Sequence, residues 1–165
     1  MNLAYFSLGS NLGDREQFLR EAIQLLSKKI GAIRTISPVY ETPPLGFESK
    51  HSFLNLCLGL ETSDSPESII KIIAEIEDKL GRKRDASGEY TSRTIDIDLI
   101  LFGSHTLDNE TLSVPHPRFR DRLFVLRPLA DIAENEVDPA TQKSIRQLLE
   151  ACIDQSSIRR YKNGI

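Results

Sequence analysis

Cysteine is scarce in this chain of 165 residues: Cys57 and Cys152 are the two present, with no CxxC pair and no Cys/His cluster. A disulfide framework and a structural zinc site are thereby excluded, and a reducing compartment is expected. A surplus of positive charge is also missing, since 21 Lys and Arg stand against 24 Asp and Glu for a net charge of -3. A dedicated nucleic-acid binder would carry a basic excess. No apolar run approaches the ~20 residues that span a bilayer, and residues 1–14 lack both the basic start and the apolar stretch of a secretory signal. The expectation is a cytoplasmic protein with neither membrane nor nucleic acid as partner. Two phosphate-binding signatures are absent too: there is no GxxxxGK[ST], and no GxGxxG follows a strand, which excludes P-loop and Rossmann sites. Internal repeats and low-complexity tracts do not occur.

With 39% apolar and 27% charged residues the chain can bury one sizeable core. Residues 3–8 read as a strand that stops at Gly9, Ser10 and Asn11. Asp14 caps a helix with Phe18, Leu19, Ala22, Ile23, Leu25 and Leu26 at helical spacing, ended by Gly31. Residues 32–40 fit a second strand, followed by a loop stiffened by Pro43 and Pro44. In residues 53–61 Leu54, Leu56, Leu58 and Leu60 alternate with Phe53, Asn55, Cys57 and Gly59, so one face is core and the other offers a ring and an amide beside small residues. Ser65 as N-cap, Pro66 at the first helical position, the stripe Ile69, Ile72, Ile73, Ile76 and Leu80, and the stop Gly81 mark a second helix. Residues 94–102 alternate again, Ile95, Ile97, Leu99 and Leu101 opposing Thr94, Asp96, Asp98 and Ile100. The remainder is less regular until a terminal helix over residues 141–152. This order predicts an α+β, ferredoxin-like split βαβ fold with a mainly antiparallel sheet and helices on one face. It forms a single domain over residues 1–158, followed by a polar tail over residues 159–165.

Asp96 and Asp98 carry the strongest chemical signal, because aspartate is disfavoured in strands and these two share a face. Carboxylates roughly 5.5 Å apart repel by about 3 kcal/mol at an effective dielectric near 20, which a divalent cation would turn into attraction. Oxygen-only ligation favours magnesium over zinc; two aspartates on a solvated sheet face are the other reading, and spacing alone leaves both open. Arg82, Lys83 and Arg84 follow the helix stop, Arg93 sits three residues before Asp96, and the stretch between reads as a mobile loop carrying cations. Cations beside a metal-binding pair suit a polyphosphate. His116 is held between Pro115 and Pro117 and followed by Arg118, Arg120 and Arg122, so it is preorganised to donate to a phosphate oxygen or to move a proton. Phe53 and Phe124 fit either the core or a stack on a planar ligand. A ferredoxin-like regulatory module that binds a nucleotide or small ligand without turnover, and a metal-dependent nucleotidyltransferase that releases pyrophosphate, remain alternatives.

Several motifs, in this order and spacing, resemble one family. They are Ser7 to Asp14 with Gly9 and Gly13, Tyr40-Glu41-Thr42-Pro43-Pro44-Leu45-Gly46, Phe53-Leu54-Asn55, Ile76-Glu77 with Gly81-Arg82, Arg93-Thr94-Ile95-Asp96-Ile97-Asp98, and Val114-Pro115-His116-Pro117-Arg118. Together they resemble the 6-hydroxymethyl-7,8-dihydropterin pyrophosphokinases of folate biosynthesis. The resemblance implies transfer of the β,γ-diphosphoryl unit of ATP to the pterin hydroxymethyl oxygen, with release of AMP, by a monomer acting on ATP and the pterin. It implies two Mg2+ ions held by Asp96 and Asp98, and catalytic roles for Arg82, Arg93, Asp96 and Asp98. ATP would contact Arg82, Arg84, Arg93, Leu99, Ser113, His116 and Arg122, and the pterin would contact Thr42, Pro44, Leu45, Gly46, Phe53, Asn55 and Phe124. The chain departs from the family pattern at residues 89–92, where a basic neighbour is missing, and at Ala74, where some members carry glutamine.

Overall fold

Helix caps and alternating strands produce the following order of elements: β1 (Asn2–Ser10), α1 (Arg15–Lys29), β2 (Ala32–Ile36), β3 (Val39–Thr42), β4 (Phe53–Thr62), α2 (Pro66–Lys79), β5 (Asp96–Phe102), β6 (Leu107–Asp108), β7 (Ser113–Val114), α3 (Leu123–Ala133), α4 (Ile145–Glu150) and β8 (Arg159–Lys162). The computed structural model describes residues 1–43, 51–82 and 92–165, and structural statements concern these. The main sheet runs β5-β1-β4-β3-β8, with β2 also pairing with β4, and every pairing is antiparallel. With β2 and β3 taken as one interrupted strand, this is the expected split βαβ sheet. Among the described residues, no helix is long and apolar enough to cross a membrane.

The caps read from sequence are in place. Asp14 accepts from the Gln17 N–H at 3.1 Å, and the Ser65 hydroxyl accepts from the Ser68 N–H at 3.2 Å. Gly81 adopts a positive φ of 81°, as a helix stop requires. Gly31 acts through space instead: a Cβ there would lie 2.1 Å from the Glu61 carbonyl oxygen, so only glycine lets α1 hand over to β2 this close to β4. Leu54, Leu56, Leu58 and Leu60 are all fully buried against α1 and α2. Each such burial contributes about 1.5–3 kcal/mol.

Six expectations need correction. The strand over residues 32–40 breaks at Ser37 and Pro38, because Pro38 has no N–H to give; the Ser37 hydroxyl takes the Cys57 N–H at 2.9 Å across the gap. Helices cover both faces rather than one, since α3 and α4 pack on Tyr5, Cys57, Ile100 and Leu101 opposite the layer of α1 and α2. Alternation in β5 is broken by a bulge: Tyr5 pairs with Leu101 and Phe6 with Leu99, leaving Ile100 as the extra residue. Leu101 therefore joins the α3 side, and Phe102 the α1 side. α3 stands where irregular chain was expected, with Pro128 inside it, and the terminal helix shrinks to α4, opened by a capping box between Ser144 and Gln147. In place of a solvated polar tail, residues 159–162 are exposed but form β8 on the edge of β3, and Ile165 is partly buried against the core.

Candidate active site

Three neighbouring strands bring the motif residues onto one sheet face. Gly9 of β1 lies opposite Asn55 of β4 on one side and Asp96 of β5 on the other, while Ser7 lies opposite Asp98. Because side chains alternate, Ser7, Gly9, Phe53, Asn55, Asp96 and Asp98 point the same way. α3 covers the far half of this face and leaves the near half open. There a cavity of about 280 Å3 forms between the sheet, Thr42 and Pro43 at the end of β3, and Arg118, Asp121, Arg122 and Phe124 at the start of α3.

The cavity has two chemically different ends. At one, the Asn55 amide donates to the Thr42 hydroxyl at 2.7 Å, beside Phe53 and Phe124. Gly9 is the floor here, since a Cβ would sit 2.9 Å from Asn55 Oδ1 and 3.5 Å from Phe53 Cδ1. The Arg122 guanidinium lies 5.6 Å from the centroid of the Phe124 ring and so joins the two ends.

At the other end Asp96 is gripped by two arginines, Arg82 Nη1 at 2.8 Å from Oδ1 and Arg93 Nη1 at 3.1 Å from Oδ2. Arg82 also donates to Glu77, a buried carboxylate whose Oε1 accepts the Ile97 N–H at 2.9 Å. Burial works against the Arg82 charge, but Asp96 and Glu77 outweigh it and hold its pKa above the usual value. Arg93 is fixed through its backbone: its N–H donates to Asn11 Oδ1 at 2.8 Å, and its carbonyl accepts from the Asn11 N–H at 3.1 Å. Burial, and then the neighbouring Asp96 charge, push Asp98 up to about 7. His116 is pushed down to about 4 by burial and by Arg122. Its Nδ1 accepts the Arg118 N–H at 3.1 Å, so in the neutral ring Nε2 carries the proton, 4.0 Å from Asp98 Oδ1.

Of the residues singled out from sequence, Thr42, Phe53, Asn55, Arg93, Asp96, Asp98, Arg122 and Phe124 line the one cavity, with Arg82 and His116 directly behind the aspartates. The Leu99 side chain is buried in the core, so only its backbone on the edge strand β5 can serve a ligand. Ser113 is not brought to the cavity; its hydroxyl donates to Asp108 within the small β6–β7 hairpin. Pro44, Leu45, Gly46 and Arg84, and the cationic loop over residues 83–91, lie outside the described residues. Pro43 falls within the Thr42 to Gly46 stretch assigned to the pterin edge, but sequence reasoning gave no role to Ser7, Gly9, Arg118 and Asp121 in the lining, or to Glu77 and Asn11 behind it. A glycine closing an apolar strand was the available signal for Gly9, and a glutamate inside an isoleucine stripe the signal for Glu77.

Among the described residues no cluster of three or more His, Cys, Asp or Glu could hold a metal ion by itself. A cation at Asp96 and Asp98 would therefore complete its shell from water and the oxygens of a bound ligand. The donor set fits magnesium, which is commonly held by one or two carboxylates plus substrate phosphates.

Comparison with known proteins agrees with this architecture. The chain is 40% identical over 162 residues to a 2-amino-4-hydroxy-6-hydroxymethyldihydropteridine pyrophosphokinase of Bacillus subtilis, covering 98% of this chain and 91% of that protein. It is 42% identical over 135 residues to the pyrophosphokinase of the same name from Porphyromonas gingivalis, covering 81% of this chain and 92% of that one. An HPPK-DHPS crystal structure in complex with substrates has a TM-score of 0.75 at 16% identity, over 91% of this chain and 43% of that one. A Plasmodium falciparum HPPK-DHPS has a TM-score of 0.72 at 20% identity, over 91% and 44%; at these identities the likeness concerns the fold alone. The family model for 7,8-dihydro-6-hydroxymethylpterin-pyrophosphokinase matches residues 5–134, a span that holds both ends of the cavity, and the chain belongs to that family.

Proposed function

We propose that this chain transfers the diphosphoryl group of ATP to the hydroxymethyl group of 6-hydroxymethyl-7,8-dihydropterin, giving AMP and the pterin diphosphate for folate biosynthesis. The observation that carries this reading is the two-ended cavity: an amide and two aromatic rings at one end, and an aspartate pair among arginines at the other. A flat, hydrogen-bonding heterocycle suits the first end and a polyphosphate the second.

In this reading the pterin lies between Phe53 and Phe124, with the Asn55 amide and Thr42 at its edge, and its hydroxymethyl group points toward the aspartates. The hydroxymethyl oxygen attacks the β-phosphorus in line; the new O–P bond forms as the bond to the α-phosphate oxygen breaks, AMP leaves with that electron pair, and the hydroxyl proton passes to solvent. Arg82 and Arg93, already held beside Asp96, take up the charge on the transferred oxygens. His116, neutral at pH 7, donates its Nε2–H to a phosphate oxygen without adding a cation to the site, and Arg122 faces the phosphates from the α3 side. Fixing these donors beforehand avoids reorganisation at the moment of transfer. Two magnesium ions at Asp96 and Asp98 would supply charge neutralisation and orientation of the phosphates. The enzyme works in the cytoplasm as a monomer, with neither nucleic acid nor membrane as partner.

Incubation with ATP, magnesium and 6-hydroxymethyl-7,8-dihydropterin, followed by separation of nucleotides and pterins, tests this. AMP with pterin diphosphate is expected, and Asp96→Asn or Asp98→Asn should lower the rate at least about 1,000-fold with the fold intact. Unchanged ATP, or pyrophosphate with an adenylylated acceptor, would overturn the assignment.

A further inference from the structure

Strand β8 is exposed at every residue, so apolar burial does little to hold it. It is held by pairing with β3, Glu41 opposite Arg159 and Tyr40 opposite Arg160, and by ion pairs. Arg159 Nε donates to Glu41 Oε1 at 3.0 Å, and Lys162 Nζ donates to Glu16 Oε2 at 2.8 Å, tying the strand to the first turn of α1. The family model matches residues 5–134, so β8 lies outside the matched span.

Glu41 is the junction of this arrangement. Its Oε2 accepts from Arg15 Nη1 at 3.0 Å, and the same nitrogen reaches the Ser52 carbonyl at 2.9 Å. The hydrogen bond from Arg159 holds the Glu41 carboxyl below the usual range. On one side of this junction Glu41 precedes Thr42, and on the other Ser52 precedes Phe53. Thr42 in turn pairs with Phe53 and accepts from Asn55. One carboxylate between two arginines thus ties together the two segments that carry the aromatic and amide end of the cavity. The aspartate end has further anchors of its own, Asn11 on Arg93 and Glu77 on Arg82, and is linked to the Ser52 segment by the long 3.4 Å hydrogen bond from the Asn11 amide to the His51 carbonyl.

We infer that the Arg15, Glu41 and Arg159 cluster is a positioning device for the pterin end of the site, and that β8 supplies one arm of it from the C-terminal side. The inference rests on the pyrophosphokinase reading for the identity of the ligand. It makes pterin affinity depend on a strand that never touches the pterin, while nucleotide affinity does not.

The test compares the full chain with Arg159→Ala, Arg159→Lys and a chain ending at residue 158. Binding of 6-hydroxymethyl-7,8-dihydropterin is followed by its fluorescence in the presence of a non-hydrolysable ATP analogue, together with KM and kcat for both substrates. Arg159→Ala and the shortened chain should weaken pterin binding about 5- to 10-fold and leave the nucleotide Kd within about twofold, and Arg159→Lys should restore most of the loss. Arg159 has a side chain 74% exposed, so its substitution leaves the core intact and decides the matter even if the shortened chain misfolds. Unchanged pterin affinity in Arg159→Ala, or equal weakening of both ligands, would overturn the inference. A full chain that binds the pterin but forms no AMP would instead defeat the pyrophosphokinase reading, and the binding comparison would still report on β8.

Discussion

Removing Glu77 should damage the protein more than any change to the exposed charges, and the size of the effect follows from its partners. The carboxylate side chain is 3% exposed and accepts both the Ile97 N–H at 2.9 Å and the Arg82 guanidinium. In Glu77→Ala the buried Ile97 donor loses its acceptor, at roughly 1–3 kcal/mol. Breaking a buried ion pair costs about 3–5 kcal/mol, reduced here because Arg82 keeps Asp96 at 2.8 Å. The two losses overlap at one carboxylate, so about 3–4 kcal/mol is expected in total. For a chain of this length each kcal/mol moves Tm by about 2–4 °C, which places the fall at about 6–16 °C. Glu77→Gln keeps an oxygen for the Ile97 N–H and loses only the charge, so about 1–2 kcal/mol is expected. Urea unfolding at pH 7 followed by circular dichroism, with calorimetry for Tm, measures both variants. A Glu77→Ala protein within about 1 kcal/mol of the parent, or a Glu77→Gln protein equally damaged, would refute the argument that this carboxylate supports both the strand and the arginine.

Two further outcomes can be read from the site. The fold raises Asp98 from 3.8 to about 7, so between these values the folded state holds the extra proton and stability falls as pH rises; it lowers His116 from 6.5 to about 4, so there the unfolded state holds the extra proton and stability rises with pH. The two slopes oppose each other in the parent, and urea unfolding should show stability rising between pH 4 and 6.5 in Asp98→Asn but falling between pH 4 and 7 in His116→Asn; slopes of one sign in both variants would contradict the assignment. Gly9→Ala would place a Cβ 2.9 Å from Asn55 Oδ1 and displace that amide, so the pterin KM should rise about 10-fold with the ATP KM unchanged, and an unaltered pterin KM would show that Gly9 is not the floor of the site.

What could be read from the sequence follows a physical division. Short-range signals were dependable: Asp14, Ser65 with Pro66, and Gly81 act within one helical turn, and the leucines of β4 report burial through a period of two. The aspartate pair was legible because charge on a strand is costly without a purpose, and Phe53 and Asn55 because they share the face opposite the leucines. Features set by distant partners were not legible. α3 stays helical around Pro128 because its apolar face is buried on Tyr5 and Cys57 from other strands. The polar string Arg159 to Lys162 becomes a strand only because β3 offers an edge, and Glu41 and Glu16 offer charges, more than 100 residues upstream. Gly31 reads as a helix stop, yet what demands glycine is a carbonyl of a strand 30 residues later.

The bulge in β5 decides how the His116 loop is seated. Two residues after Asp98, Ile100 is the residue with no counterpart on β1, and its carbonyl accepts the His116 N–H at 2.9 Å. An irregularity in the ladder thereby becomes a socket that plugs the His116 loop into the same strand that carries the aspartates. Asp96, Asp98 and the imidazole are therefore referred to one strand, and their spacing is set by that strand and not by the Thr42 and Phe53 segments. A one-residue deletion at the bulge would pull this arrangement apart without removing an aspartate, an arginine or the imidazole.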